Sequence, residues 1–225
     1  MIVLGIETAT SICSIGLVDG QRLLAEKSEE AGRRHSVILL DLIEDALSDA
    51  GIRRDQLGGV AVSAGPGSFT GLRIGMGLAK GICLSSCIPM AAVSTLCALA
   101  VQSGTGPGLI CACLDARHDE LYSGVYERDG SMMAVSQPDS GRHIDDLLTL
   151  LSPDTLVVGY GIGLYEDKLL HAGLTVQPNI CPSGAAVARI GEQRLSAGED
   201  TPLDFAEPNY CKKSQAERLL AGETS

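Results

Sequence analysis

The strands and helices predicted from this chain of 225 residues occur in the same order twice. Apolar periodicity and turn residues predict three strands, a helix, a strand and a second helix in each half. In the first half these are strands 1–7, 12–18 and 21–27, helix 35–50, strand 60–63 and the helix after Gly71. In the second they are strands 109–115, 120–127 and 132–135, helix 143–151, strand 156–158 and helix 162–172. The repetition predicts a duplicated α/β fold in which two βββαβα halves, residues 1–104 and 105–225, flank a cleft.

A glycine-rich turn, Gly65-Pro-Gly-Ser-Phe-Thr-Gly71, separates a strand from a helix in the first half. Thr70 can cap that helix, which leaves the first N–H groups of the helix directed outward, where they attract anions. The turn is not a Walker phosphate loop, since Leu72 and Arg73 stand where that motif has Lys and then Ser or Thr. A turn that only reverses the chain, with Thr70 as a simple cap, explains the same residues.

Charge and hydropathy exclude two function classes. The formal net charge of −11 disfavours direct binding of nucleic acid, which needs Lys and Arg against phosphates. Residues 81–114 carry no charge, but Pro89 and several hydroxyl residues divide them into lengths suited to a helix end, a strand and a helix rather than a membrane span. Eight cysteines without a signal peptide favour a reducing, cytoplasmic location over a disulfide framework.

The duplicated order resembles the superfamily of sugar and acetate kinases, heat-shock ATPases and actin, whose two halves clamp a nucleotide. In that superfamily the first strand ends in an acidic residue and a phosphate-contacting hairpin follows. Here Glu7 ends the first strand, and Asp115 ends the equivalent strand of the second half. The resemblance implies a residual nucleotide site formed by Glu7, Thr8, Gly65, Gly67, Ser68, Thr70 and Asp115. Simple strand-end and turn residues are the alternative interpretation.

Five segments together resemble the TsaB (YeaZ) family. They are Gly5-Ile-Glu-Thr8, Arg34-His-Ser36, Gly65-Pro-Gly-Ser-Phe-Thr-Gly-Leu-Arg73, Asp115-Ala-Arg117 and Pro208-Asn-Tyr210. The resemblance implies an accessory subunit that works with a larger catalytic relative, TsaD, and an ATPase, TsaE, to place a threonylcarbamoyl group on N6 of adenosine 37 in tRNA. It implies contact with tRNA only through the complex, and no required cofactor beyond weak binding of ATP or ADP.

Catalytic groups are hard to find in this sequence. The larger relative carries a paired-histidine metal motif, whereas here His35 stands alone and Leu39 occupies the position four residues later. One histidine cannot hold a catalytic metal, so no metal site is predicted. Ser68 lies outside a Gly-x-Ser-x-Gly elbow, and no histidine is placed as its base. We therefore expect no catalytic residue.

Two helices of the first half have features of an interaction surface. The helix 35–50 has a wide apolar face, and the helix after the turn carries glycines at four-residue spacing that let another helix approach its backbone. The resemblance implies that these helices bind a second copy or TsaD, through His35, Leu39, Leu42, Ile43, Leu72, Gly75, Met76 and Gly77. Packing against the chain's own sheet is the alternative. Under the interface hypothesis, Gly75→Leu or Gly77→Leu disrupts dimerisation and leaves a folded monomer.

Two other functions stay open at this point. A self-sufficient phosphotransferase would use Glu7 or Asp115 beside a metal-bound nucleotide, and a metallopeptidase would need a metal site that the sequence does not reveal. The pair Arg33-Arg34 begins a helix in solvent or meets an acidic partner. The segment after Tyr210 either stays with the second half or returns to the first.

Overall fold

Each half of the chain forms a mixed five-stranded sheet in the computed structural model, which describes residues 1–32, 34–104, 106, 108–130 and 132–211. The first sheet has the order β3-β2-β1-β4-β5. β1 pairs antiparallel with β2 and parallel with β4. Its strands are β1 (Ile2–Glu7), β2 (Ile12–Asp19), β3 (Arg22–Glu30), β4 (Gly59–Gly65) and β5 (Met90–Ser94).

The second sheet repeats this topology with the order β10-β9-β6-β7-β8. Its strands are β6 (Gly108–Asp115), β7 (Glu120–Asp129), β8 (Met132–His143), β9 (Leu156–Tyr160) and β10 (Thr175–Gln177). The predicted duplication is therefore confirmed. β8 is longer than the predicted strand 132–135, because two irregularities in its pairing with β7 let it continue through a polar, largely exposed stretch.

Six α-helices in the described residues cover the sheets in layers. They are α1 (His35–Ala50), α2 (Phe69–Ser86), α3 (Thr95–Ala100), α4 (Ile144–Leu150), α5 (Glu166–His171) and α6 (Gly184–Ser196). α1 and α2 pack on one face of the first sheet, and α4 and α5 pack on the outer face of the second. α3 and α6 form the layer between the sheets, where α6 contacts the first sheet and α3 contacts the second.

The helix α6 follows the second sheet in sequence but packs on the first, and glycines make this approach possible. A Cβ atom at Gly5 would lie 2.1 Å from the Gly184 carbonyl oxygen, and one at Gly16 would lie 2.2 Å from the Ala185 nitrogen. The N-terminus of α6 is fixed by hydrogen bonds, since Ser183 Oγ accepts from Ala186 N and Ser14 Oγ accepts from Gly184 N at 2.9 Å. The backbone of α6 therefore lies directly against β1 and β2.

The uncharged segment 81–114 forms the end of α2, then β5, α3 and most of β6, as predicted. Met90, Leu96 and Leu99 are fully buried there. No helix in the described part of the chain combines the length and the apolar character needed to cross a membrane. Part of the predicted linker 104–108, at Thr105 and Pro107, lies outside the described residues, as do Arg33 and residues 212–225.

Candidate functional site

Loops at the carboxyl ends of β1, β4, β6 and β9 surround a cleft between the halves, with a volume of about 530 Å³. This is where open α/β sheets bind ligands, since loops from neighbouring parallel strands converge there. The first half contributes the loop after Glu7 and the glycine-rich turn, and the second contributes the turns that follow Leu114 and Gly159. The cleft is lined by Ala9, Thr10, Ser11, Gly32, Gly67, Ser68, Leu114, Asp115, Ala116, Arg117, Tyr122, Tyr160 and Gly161.

Ser68 is the residue that caps α2. Its Oγ accepts a hydrogen bond from Gly71 N at 3.3 Å, and its own N–H donates to the Ala9 carbonyl oxygen at 2.6 Å. The prediction that Thr70 caps this helix was wrong, because the helix already begins at Phe69 and Thr70 lies exposed in its first turn. The turn donors at Ser68 and Gly71 are therefore occupied within the chain, which leaves fewer N–H groups for an anion than the sequence suggested.

The glycines of the turn make room for two neighbouring segments. A Cβ atom at Gly67 would lie 2.4 Å from the Ala9 carbonyl oxygen. One at Gly65, whose φ of +107° favours glycine, would lie 2.6 Å from the Asn209 carbonyl oxygen. Asn209 N donates to the Ala64 carbonyl oxygen at 2.6 Å, so residues near the end of the described chain return to the first half and hold the turn.

Glu7 is fully buried behind the cleft and does not line it. Its Oε1 accepts from Ala9 N at 2.6 Å, while Oε2 has no hydrogen-bond partner among the described residues. Burial raises the pKa of Glu7 to about 7, although the hydrogen bonds from Ala9, Ser63 and Thr8 oppose that shift. The carboxyl group therefore shapes the loop after β1 from within and cannot reach a ligand in the cleft without a rearrangement.

Asp115 and Arg117 form the wall of the cleft in the second half. Asp115 Oδ1 accepts from Arg117 N at 2.9 Å, which fixes the turn after β6, and both side chains are exposed. Across the cleft, Ser11 Oγ and the Tyr160 hydroxyl oxygen lie 3.4 Å apart and link the two halves. Sequence reasoning did not identify Ser11 or Tyr160. The Gly-Tyr-Gly161 sequence after a predicted strand was the available signal, since it occupies the place of the glycine-rich turn in the repeat.

The seven residues predicted for a nucleotide site fall into three groups. Gly67, Ser68 and Asp115 line the cleft. Glu7, Thr8 and Gly65 are buried beside it, and Thr70 is exposed. Hydroxyl groups and the Arg117 guanidinium dominate the polar lining, with Asp115 as its carboxylate, so the cleft is suited to hydrogen-bonding a polar or anionic group. No cluster of three or more metal-ligating side chains occurs in the described ranges.

His35 connects this loop region to α1. Its side chain is buried, and its ring Nε2 lies 2.9 Å from the Thr10 carbonyl oxygen, to which it donates a hydrogen bond. The neighbouring Arg34 is exposed and donates to Glu29 Oε1 at 2.9 Å, so within the described chain it pairs with an acidic residue of β3. His35 therefore positions the cleft loop from the first residue of α1.

The residues predicted for an interface mostly point inward. Apart from Gly77, all of them are buried within the chain, namely His35, Leu39, Leu42, Ile43, Leu72, Gly75 and Met76. A Cβ atom at Gly75 would lie 2.3 Å from Thr8 Oγ1, so Gly75 accommodates a loop of its own chain. A larger side chain at Gly75 therefore meets Thr8 of the same chain, and the effect of Gly75→Leu on folding and on dimerisation stays a prediction. Gly77 and Gly81 face open space, since no described residue has an atom within 4 Å of a Cβ added there.

Other residues of α1 and α2 form the exposed surface of these helices, which we call the α1/α2 face. It comprises Val37, Leu40, Gly77, Gly81 and Leu84. The exposed fractions of Val37, Leu40 and Leu84 are 67%, 52% and 74%. On α2, the exposed Leu84 follows Gly81 by three residues, and Gly77 and Gly81, one helical turn apart, let another helix lie close to the backbone.

An aromatic stack stands at the start of α2. The Arg73 guanidinium lies 3.9 Å from the centre of the Phe69 ring, and its Nε donates to the Tyr210 hydroxyl at 2.9 Å. The rings of Phe69 and Tyr210 are 4.8 Å apart. The stack therefore attaches the segment around Tyr210 to the first half.

Comparison with known proteins identifies a family model and relatives that this chain resembles. The sequence model of the family described as "TsaD: tRNA N6-adenosine threonylcarbamoyltransferase" matches residues 26–165. The chain is 30% identical to the "tRNA threonylcarbamoyladenosine biosynthesis protein TsaB" of Escherichia coli (strain K12). That match covers 99% of this chain and 100% of the relative.

Solved structures agree with the sequence comparison. YeaZ from Pseudomonas aeruginosa matches with a TM-score of 0.81 and 26% identity, over 93% of this chain and 100% of that one. The ROK hexokinase from Thermus thermophilus matches with a TM-score of 0.52 and 14% identity, over 87% of this chain and 100% of that one. The second match shows a shared fold alone, and it confirms the predicted sugar-kinase architecture.

Proposed function

The chain belongs to the TsaB family, and from that premise we propose that it serves the biosynthesis of threonylcarbamoyladenosine in tRNA as a subunit without catalytic residues of its own. The observation that carries the proposal is the match to E. coli TsaB along the whole length of both chains. We place this activity in the cytoplasm, where the partner subunits would meet tRNA. TsaD-like and TsaE-like proteins are the proposed partners.

The side chains that could do chemistry support an accessory role, because they are engaged in holding the structure. Ser68 Oγ caps α2, His35 donates to the Thr10 carbonyl oxygen, and the Glu7 carboxyl is buried. The net charge of −11 opposes direct binding of tRNA and suits a more basic partner that faces the nucleic acid. The proposed role is therefore to hold the catalytic subunit in a competent arrangement and to form part of the docking site for the ATPase.

The α1/α2 face is the surface we assign to the TsaD-like subunit or, in its absence, to a second copy. Its support is the exposure of Val37, Leu40 and Leu84, together with the open space at Gly77 and Gly81. Burying such apolar side chains on association is favourable, and charged substitutions there oppose it. Residues of α1 and α2 that point inward would support this face without touching the partner.

A matched pair of leucines tests this surface. Leu84 lies on the α1/α2 face, and Leu164, with an exposed fraction of 87%, lies on the second half before α5. We expect Leu84→Lys to weaken binding to the TsaD-like subunit about tenfold or more, and Leu164→Lys to leave it unchanged. Gly77→Leu and Gly163→Leu form a second pair, since neither glycine has an atom within 4 Å of an added Cβ. Equal effects within each pair would exclude the α1/α2 face as the binding surface for the TsaD-like subunit.

Modification of tRNA in a reconstituted mixture tests the function itself. The mixture contains the partner subunits, ATP and threonylcarbamoyl-adenylate, with or without this chain. Product should form only when the chain is present, and the chain alone should give none. Equal modification without the chain would contradict the proposal, and nucleotide-stimulated turnover by the chain alone would support a phosphotransferase instead.

We further propose that the cleft binds ATP or ADP weakly, through Gly67, Ser68 and the turn after β6. Calorimetric titration of each nucleotide into the isolated chain measures this directly. Heat of binding that disappears in Thr10→Trp, which places a large side chain in the cleft from the first half, would support a residual site. No heat at millimolar nucleotide would show that the cleft has lost this function.

A further inference from the structure

A second cavity, separate from the cleft, lies between α6, the β5–α3 junction and β8, with a volume of about 690 Å³. Its walls are largely apolar and come from both halves of the chain. Val93, Val101, Met133 and Ile190 contribute to them. This volume lies within the range of small-molecule sites, which combine an apolar lining with a few placed polar groups.

The polar end of this cavity is a hydrogen-bonded cluster of Ser94, Tyr126 and Asp139. Ser94 Oγ donates to Asp139 Oδ2 at 2.6 Å, and the Tyr126 hydroxyl donates to Asp139 Oδ1. The same Ser94 oxygen accepts from Cys97 N at 3.1 Å and so caps α3. The carboxylate is therefore held by both halves of the molecule, with its two oxygens fixed by neutral hydroxyl donors.

Backbone features of β7 and β8 make room for this carboxylate. A Cβ atom at Gly124 would lie 2.4 Å from Asp139 Oδ1, so a larger residue there would displace the carboxylate from its present position. The pairing of β7 with β8 is irregular between Ser123 and Val125, opposite the segment that contains Asp139. Irregularities of this kind redirect a side chain. The position of Asp139 thus depends on a glycine and an interruption of the ladder.

The charge of Asp139 lacks a direct counterion in the described part of the chain, where no ion pair within 4 Å includes it. The nearby Arg142 donates instead to Ser123 and to the Pro138 carbonyl oxygen. Burial raises the pKa of Asp139 above its ordinary value, against the effects of Ser94, Tyr126 and Arg142. Arg194, on the α6 wall of the cavity, donates to the Ala92 carbonyl oxygen. Its Nε lies 3.9 Å from Glu199 Oε2, so this guanidinium is paired with another carboxylate.

We propose that this cavity binds a small organic cation, a protonated amine on an apolar body, with the ammonium group against Asp139. A carboxylate has about four lone-pair sites, and the two hydroxyl donors occupy two of them. An ammonium group would supply a positive charge in direct contact and further donors, while the apolar body would cover Val93, Val101, Met133 and Ile190.

Cyclohexylamine and its neutral counterpart cyclohexanol are suitable probes. Carbon-13 methyl labelling of methionine gives a local readout, because Met133 lines the cavity whereas Met76 is buried in the core of the first half. We expect the amine to shift the Met133 signal and leave Met76 unmoved, and to bind about tenfold or more tightly than the alcohol. The signals are assigned with Met133→Leu.

Two variants complete the test. Asp139→Asn should weaken amine binding about tenfold or more, whereas Glu199→Gln, which removes a carboxylate at the rim of the same cavity, should not. Ala197→Trp should block binding of both probes by filling the cavity. If Asp139→Asn fails to fold, this variant shows whether the probes bind in this cavity. Equal binding of amine and alcohol, unchanged binding in folded Asp139→Asn, or no Met133 shift at millimolar amine would overturn the proposal.

Discussion

Gly75 of α2 and Thr8 of the loop after β1 compete for one space, since a Cβ atom at Gly75 would lie 2.3 Å from Thr8 Oγ1. Thr8 Oγ1 also donates to the Gly71 carbonyl oxygen at 2.9 Å, so the loop is bonded to α2 where it packs against it. Two residues further along the helix, Gly77 faces open space. The glycines of α2 therefore serve two different purposes, internal packing at Gly71 and Gly75 and an open surface at Gly77 and Gly81.

Alanine substitutions separate these purposes. We expect Gly75→Ala to destabilise the fold by about 1–3 kcal/mol, because the added methyl group overpacks against Thr8. Gly77→Ala should instead stabilise it by about 0.5–1 kcal/mol, since alanine favours the helix and meets no neighbour. Urea denaturation measures both. Similar effects of the two substitutions would contradict the packing described for Thr8.

The cap of α2 provides a second prediction. Ser68→Ala should lower the free energy of unfolding by about 1 kcal/mol, because the Gly71 N–H then loses its side-chain acceptor. Thr70→Ala should change stability by less than about 0.5 kcal/mol, since Thr70 is exposed in the first turn. Thermal unfolding of the two variants and the wild type distinguishes the capping residue. A larger loss at Thr70 would restore the assignment made from the sequence.

Glu7 should make stability depend on pH. Because burial raises its folded pKa from 4.5 to about 7, its contribution is fully present below pH 4.5 and is lost as the pH rises through 7. Glu7→Gln removes this titration. The free energy of unfolding of the variant, relative to that of the wild type, should therefore rise by up to about 3 kcal/mol between these pH values.

Denaturation of Glu7→Gln and wild type at pH 5 and pH 8 measures the change, since other groups cancel in the difference. Glu30→Gln, at the exposed end of β3, serves as the control and should show no such trend. A stability difference between Glu7→Gln and wild type that is equal at both pH values would disprove the role given to Glu7.

The packing of α6 predicts that residues 1–104 do not form a stable unit alone. Without α6, one face of the first sheet loses its cover, and Val3, Val18 and Ala61 become exposed. The fragment should bind the dye ANS and unfold without a cooperative transition. Joining residues 182–206 to it through a Gly/Ser linker should restore cooperative unfolding. Cooperative unfolding of the fragment by itself would show that α6 is dispensable.

The sequence predicts the order of the elements well, because alternating apolar residues along the strands and the stripe of α1 report burial directly. The same stripe is equally compatible with an interface, and the sequence alone does not decide between the two. Leu39, Leu42 and Ile43 pack into the chain's own core, while Val37 and Leu40 remain exposed. Apolar periodicity shows that a face is covered, and it does not distinguish the chain's own sheet from a partner.

The position of α6 was not predicted, since its partner strands lie far away in sequence. A signal was nevertheless present, because Gly5 and Gly16 interrupt buried strands, where glycine marks a close backbone approach. The cleft was predicted in part, through Gly67, Ser68 and Asp115. Ser11 and Tyr160 were missed because their relation depends on the angle between the halves, which no local pattern encodes.

During synthesis, the strands of the first sheet are made well before the helix that covers one of its faces. Its five strands are complete at Ser94, but α6, which covers one of its faces, begins only at Gly184. Synthesis adds about 5–20 residues per second, so the second sheet, including β10, leaves the ribosome while that face is still bare. The nascent chain therefore carries an uncovered apolar surface for several seconds, and during this time it is most in need of a chaperone.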